Sequence, residues 1–557
     1  MATTEPQEGG IDKEVSEMGD SSFVGVDMRT GVDKLNPGFL SRSVNKRLNS
    51  GRADTREGLM ELRAQEIGVV GYGACVFSDP EGNESIAVST GSAVYVIRDG
   101  VPPESIAIPD GETMEKDVWM EQAFDKVFIF RGDDKSVLEW DGDEGIFGLV
   151  EQSVSGTGTL TIPGSTTGTA FINRLFVPYK EGNRRDSVLV SDDLDYTRYA
   201  TQVAQFRINY GTADDIIRLF PFGRATMLVF KKDSIAYWTN LATGSISESV
   251  AGEITRDNGL LSPRGVTQIG TELWFLGRGG VFKVVPGADE KMLMGEETVS
   301  NPMKPFFDEV NWAAAGTSIL EADEERLYVV VPWGSGVTRN NAIAVFNHIT
   351  KMWEGYDTFA ASVDCLALLP LNYLGRKRLW WIDRSGKVAI LGEDIGYDSW
   401  GGTQYGISDQ MVTRGYFGQH SGRKKYLRVE ASMATWDPSY SITVGTEGPS
   451  ETTVIVNASV PSRTEYAISQ TAFSLNNAND NQANAYRGDY RQIGSDNLTP
   501  RTNGSKVNQH AERLVRSRLL KRGEYLTVDI SNSQGSCRVR RVAVSGLACD
   551  GGNLNYS

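Results

Sequence analysis

The sequence predicts an all-β chain, and three observations point to it. Short runs of alternating apolar and polar residues recur along most of the chain, the signature of half-buried strands. Glycine is abundant, 60 residues against 19 Pro, with no Gly-x-y period, so it marks tight turns and not collagen. The hairpins so defined return about every 40–55 residues, the spacing of propeller blades. The predicted fold is a β-propeller of short antiparallel-hairpin blades with an added C-terminal β domain.

Each segment has its own reason. Residues 1–22 are acidic and almost free of large apolar side chains, which predicts a disordered arm. Residues 23–64 carry turn signals at Asn36-Pro-Gly38 and Asn49-Ser-Gly51 and no clean helical face. They read as a strand-and-turn strap laid over a partner or over the chain's own fold. Residues 65–400 hold the repeating hairpins. The first group is 74–78 (ACVFS), 85–89 (SIAVS) and 93–97 (AVYVI), followed by 126–130 (KVFIF) with 137–140 (VLEW). Then come 169–173 (TAFIN) with 174–178 (RLFVP) and 187–191 (SVLVS), and 225–230 (ATMLVF) with 234–238 (SIAYW). The last are 272–276 (ELWFL) with 280–284 (GVFKV), 326–331 (RLYVVV) with 342–346 (AIAVF), and 377–382 (KRLWWI) with 387–391 (KVAIL). Trp140, Trp238, Trp274, Trp353 and Trp380 stand near strand ends, where one blade would bury them against the next.

Helix is scarce. Residues 303–313 form one candidate, and 512–520 fit helix or strand equally. The Gly/Ser/Thr-rich stretch 153–169 predicts a projecting hairpin or a flexible linker, and the Asn/Gln/Ser-rich stretch 475–509 a surface excursion. Strands over 425–433, 440–444, 525–530 and 539–544 would build the C-terminal β domain, residues 401–557.

Chemistry finds little to work with. Cys75, Cys365, Cys537 and Cys549 form no Cys-x-x-Cys pair, which argues against both a disulfide scaffold and structural zinc. The three histidines lie far apart. The acidic run at 141–145 (DGDEG) lacks the downstream bidentate Glu of a calcium loop. Asp192, Asp195, Asp214 and Asp215 could pair as glycosidase carboxylates, but turn-capping acids are commoner. Residues 277–280 (GRGG) precede no helix and read as a hairpin turn, not a phosphate cradle. No catalytic residue, metal site or cofactor is expected. No apolar run is long enough to span a bilayer, and the acidic start is the reverse of a secretory signal.

Charge offers the best functional candidates. The net charge of −16 argues against coating nucleic acid by counterion release. It is uneven: +5 over residues 401–557 and −21 over 1–400. A cationic cluster, Arg42, Lys46, Arg47, Arg52 and Arg56, suits contact with an acidic protein or a phosphate backbone, with solvated charge as the equal alternative. Arg538, Arg540 and Arg541 follow a strand and would line the edge of the last domain. Reversing the charge at Arg42, Lys46, Arg47 and Arg52 is expected to block docking and leave the fold intact.

Several segments resemble the tail nozzle proteins of short-tailed bacteriophages, also called tail tubular protein B or packaged-DNA stabilisation proteins. The strap residues 36–45 (NPGFLSRSVN) with 55–59 (TREGL) resemble that family's N-terminal segment. Residues 211–219 (GTADDIIRL) leading into 228–231 (LVFK), and 259–263 (GLLSP) leading into 272–276, resemble its blade transitions. So do 325–332 (ERLYVVVP) with 344–347 (AVFN) and Trp353. The resemblance implies a virion protein of the phage tail, made in the bacterial cytoplasm. Its subunits would form a homo-oligomeric, sixfold ring against the portal and adaptor ring proteins and the tail fibres or spikes. Double-stranded DNA would be retained by the ring and pass through its lumen without sequence-specific binding, and the family has no active site. Two alternatives stand beside it: a tail adhesin with a receptor-binding propeller, and a propeller glycoside hydrolase or lyase. The last predicts carboxylates converging in the central channel, and loss of turnover when Asp193 or Asp215 is changed.

Overall fold

The computed structural model describes residues 15–459 and 513–548, excepting 143–147, 150, 155–157, 162–163, 182–183, 199–204, 209–213, 242–249, 287–291, 295–297, 394, 418–423, 437–438, 446–452 and 533–535. Seven four-stranded antiparallel units follow one another among these residues. Blades 1 to 5 are Gly73–Ser78 to Val101–Ala107, Trp119–Ala123 to Gly148–Leu149, Thr169–Phe171 to Gln205–Arg207, Ile216–Phe222 to Val250–Thr255, and Glu272–Gly277 with its neighbours from Val266–Ile269 to Met292–Met294. Blade 6 runs from Ile319–Ala322 to Met352–Thr358. Blade 7 takes three strands from Cys365–Tyr373 to Val388–Glu393, and its fourth is Gly58–Glu61, from the other end of the chain. The first strand of blade 7 touches the first strand of blade 1, so the ring is closed. The protein contains a β-propeller, and its first and last strands meet in one blade.

Period-2 side-chain alternation explains why the blades stack. In blade 2, Val127 and Ile129 pack towards blade 1 while Phe128 and Phe130 pack towards blade 3. In blade 4, Met227 and Val229 face blade 3 while Leu228 and Phe230 face blade 5. Blade 7 does the same with two adjacent indoles: Trp381 packs against blade 6 and Trp380 against blade 1. The second strand of a blade is buried on both faces, so it reads as a nearly continuous apolar run instead of alternating. All five tryptophans singled out above are buried in these seams. Each such side chain contributes roughly 1.5–3 kcal/mol or more by leaving water.

The C-terminal domain is two packed sheets, and both contain N-terminal strands. In one, Ser536–Ala548 lies between Lys424–Trp436 and Arg52–Thr55, and Val15–Asp20 also pairs with it. In the other, Thr527–Asn532 joins Ser439–Gly445 to Asp409–Thr413, and Asp409–Thr413 pairs with Phe39–Val44. Phe39–Val44 in turn meets the outer strand of blade 6 at Val44–Tyr356. One sheet of ten strands therefore runs from blade 6 through the strap into the C-terminal domain. The core between the sheets includes Tyr426, Val429, Val528, Ile530, Val542 and Val544.

Some expectations are corrected. Val15–Asp20 is a paired strand, not part of a disordered arm, and the Asp20 carboxylate accepts hydrogen bonds from Gly38 N and Arg414. The helix expected over 303–313 is only Lys304–Asp308 after a single 3-10 turn: Pro305 can start a helix, but no side chain caps it. Arg513–Gly523 is a strand, since it pairs with Lys424–Trp436. Glu151–Val154 and Gly158–Thr161 do form a separate hairpin, and 277–280 is a hairpin turn. The surface excursion expected at 475–509 lies outside the described residues.

Candidate axial site

The cationic cluster proves to be internal structure. The Lys46 ammonium is buried 2.8 Å from the Asp409 carboxylate and donates to Cys537 O. Burial alone would lower this amine, but Asp409, together with Cys537 and Asp54 nearby, holds it above its ordinary value. Arg47 donates two hydrogen bonds to Asp357, at 2.9 and 2.6 Å, and Arg56 two to Asp398, at 2.8 and 2.6 Å. The Arg56 guanidinium also lies over the Phe359 ring. Arg538 pairs with Asp54 between adjacent strands. These four cations are buried, so the reading of Lys46, Arg47, Arg56 and Arg538 as a partner interface is corrected: no docking surface can reach them. Reversing Lys46 or Arg47 would set a carboxylate against Asp409 or Asp357 in the interior, which breaks the fold instead of sparing it. Arg42 is exposed and donates to the Tyr356 hydroxyl, and half-buried Arg52 donates to Asn49 O. Arg540 and Arg541 are exposed on Ser536–Ala548.

The acids weighed for catalysis lie away from the propeller axis. Asp195 accepts from the Thr197 hydroxyl and amide, and Asp214 from Ser234 and Asp233 N, as turn-capping acids do. Asp215 pairs with Lys180 and Arg185. None of these, nor Asp193, lines the axial cavity, and most of 141–145 lies outside the described residues.

The first strands of six of the seven blades, blade 3 excepted, line a partly open cavity of about 380 Å³ on the propeller axis. Four charged side chains from four blades reach it: Glu121 of blade 2, Arg218 of blade 4, Arg264 at the start of blade 5 and Glu321 of blade 6. Arg218 donates to Pro263 O at 2.7 Å and Val266 O at 3.4 Å, and its guanidinium lies 4.4 Å from the centre of the Trp119 ring. Arg264 donates to Val118 O at 3.1 Å, bridging blade 5 to blade 2. Glu321 accepts from Ala322 N at 3.0 Å and Thr267 Oγ1 at 3.5 Å, both through Oε1, and Glu121 accepts from Thr169.

Among the described residues no carboxylate comes within ion-pair distance of Arg218 or Arg264. The electrostatics follow from that separation. Burial pulls the Arg218 guanidinium down to about 10, with Glu121 only partly restoring it. It pushes Glu321 up to about 7 against Ala322 N and Arg218, and raises Glu121 as well. These side chains are half-buried where they face the cavity. The sequence signal was present but faint. Glu121, Arg218 and Glu321 each put a charge into the apolar first strand of a blade, in WMEQA, IIRLF and ILEA.

No family model matches the chain, and no curated protein matches it. Solved structures similar to it are propellers. A catalytically inactive variant of virginiamycin B lyase from Staphylococcus aureus, solved with quinupristin, is 14% identical over 60% of this chain and 98% of its own, with a TM-score of 0.39. YCF48 from Cyanidioschyzon merolae is 13% identical over 60% of this chain and 98% of its own, with a TM-score of 0.38. The assignment of the propeller itself rests on the strand pairing described above.

Proposed function

We propose that this chain is a structural subunit of a short-tailed bacteriophage tail, the nozzle that closes the portal-tail channel, retains packaged DNA and guides its ejection. The observation that supports this reading most is the ten-stranded sheet joining propeller, strap and C-terminal domain. A part that holds a pressurised genome must transmit load between its domains without a loose hinge. Continuous strand pairing backed by buried ion pairs provides that, where a flexible linker would not. The acidic 1–400 portion suits a wall past which DNA slides without sticking. The channel for DNA would be the lumen of the ring of subunits, since Arg264 of blade 5 reaches Val118 beside blade 2 and Arg218 of blade 4 lies over Trp119 of blade 2, across the propeller's own axis.

The test is antibody-gold labelling of intact particles of the phage that encodes the chain. Label on the tail stub is expected; label on peripheral fibres would promote the adhesin, and absence of the chain from particles would remove the nozzle reading. Glu121 and Glu321 in the axial cavity favour one second reading, a propeller hydrolase or lyase. Turnover of an acidic oligosaccharide, abolished by Glu321→Gln, would put that reading first.

A further inference from the structure

The two axial arginines pose a problem that the nozzle reading leaves open. A charge withdrawn from water without a counter-ion costs several kcal/mol, and proteins rarely keep one unless something pairs with it. Arg218 and Arg264 approach that situation: they are half-buried against the cavity, and Glu121 and Glu321 share it without coming within ion-pair distance of either. A guanidinium has five N–H donors in a fixed fork. Arg218 uses one nitrogen, on Pro263 O and Val266 O, and Arg264 one, on Val118 O. Their remaining donors meet no protein acceptor among the described residues. Oε2 of Glu321 likewise receives no protein hydrogen bond. The space between is about 380 Å³, within the range of small-ligand pockets, and its other walls include Val76, Met120, Val266 and Leu369. Donor forks, the open carboxyl oxygens of Glu321 and Glu121, and apolar walls together define a ligand: anionic, planar at its charge, and with a hydrogen-bonding group beside it.

We propose that the axial cavity binds a small organic carboxylate, held by the guanidiniums of Arg218 and Arg264 and hydrogen-bonded by Glu321. Carboxylate matches the fork of an arginine in two parallel hydrogen bonds. Glu321 completes the site as donor when protonated. Arg218 of blade 4 and Lys377 of blade 7 favour its ionised form, but burial outweighs them; Arg264 of blade 5 and the carboxyl of Glu121 of blade 2, itself raised by burial, are the other charged groups on the cavity. In that protonated state Glu321 adds no negative charge next to the bound anion. Binding therefore tightens as pH falls towards 6 and weakens towards 8.

The experiment is isothermal titration calorimetry of the full chain with citrate, glucuronate and inorganic phosphate at pH 6 and pH 8. Saturable binding of citrate or glucuronate is expected, tighter at pH 6, and weakened about tenfold or more by Arg264→Gln, which loses one charge-assisted partner. No saturable binding of either carboxylate at millimolar concentration overturns the proposal. So does binding of phosphate alone, or unchanged affinity in a folded Arg264→Gln. Should that variant fail to fold, Glu321→Gln decides: it preserves side-chain shape, and the pH dependence of binding should disappear. Persistence of that dependence in Glu321→Gln overturns the assignment of Glu321. The outcome is independent of the nozzle reading, which the labelling of particles decides.

Discussion

Lys46 and Asp409 face each other 2.8 Å apart with no exposed side-chain surface, and that isolation sets what a mutation there costs. Lys46→Met leaves Asp409 buried without its cation, and breaking a buried pair from one side costs about 3–5 kcal/mol. Pairing it with Asp409→Leu removes both charges and should return most of the loss. Urea unfolding of the three proteins measures this; a single variant as stable as the parent contradicts the pairing. Backbone strain offers the opposite case. Leu374 is 77% exposed at φ 48° in the two-residue turn between Tyr373 and Arg376, followed by Gly375. That left-handed turn favours Asn-Gly, so Leu374→Asn should stabilise by about 1 kcal/mol, read as a higher Tm. Glu321 supplies a pH signature. Its folded value of about 7 lies above that of an unfolded Glu, so the folded state takes up its proton first. Its contribution is full at low pH and is lost as pH rises from the unfolded value through 7. Glu321→Gln should flatten the stability profile between pH 5 and 8, and an unchanged slope would assign that slope to other groups.

Among the elements, legibility follows distance along the chain. The hairpins were readable because each strand's partner is its neighbour: residues 126–130 and 226–230 announce themselves as apolar runs between turns. Gly58–Glu61 was not readable as the outer strand of blade 7, because the strand that selects it, Val388–Glu393, lies at the far end of the propeller. The cationic cluster was misread for the same reason. The sequence displays Arg47 and Arg56, but their partners Asp357 and Asp398 are brought to them only by the closed ring. Local periodicity carries no information about such pairings, and a charge in a short strand looks solvated until its partner is known. Closure also makes a testable demand. A chain starting at residue 65 loses the strand that covers Val388–Glu393, together with Leu59 from the seam between blades 6 and 7. It should lose its cooperative thermal transition by circular dichroism. A transition matching the full chain's would show that closure by Gly58–Glu61 is dispensable.

At the scale of the whole molecule, a chain of 557 residues would ordinarily unfold in stages, since large proteins divide into domains with separate cores. Here the division is bridged three times. Phe39–Val44 hydrogen-bonds to both blade 6 and the C-terminal domain, Lys46–Asn49 and Arg52–Thr55 lie in the second C-terminal sheet, and Gly58–Glu61 closes blade 7. One apolar cluster also spans the junction, from Trp274 and Trp353 in the blades to Val429 and Ile530 beyond them. Melting the C-terminal domain first would strip Asp409 from Lys46 and Arg538 from Asp54, and leave those two strap charges without partners beside a propeller still joined to the strap. Melting the propeller first would pull Phe39–Val44 away from Asp409–Thr413. Neither half can unfold without exposing the strap, and the strap is shared. Differential scanning calorimetry should therefore show one endotherm for propeller and C-terminal domain together, with Lys46→Met lowering its midpoint without splitting it. Two separated endotherms in the parent protein would mean that the shared strands do not couple the domains, and would remove the mechanical argument for a load-bearing subunit.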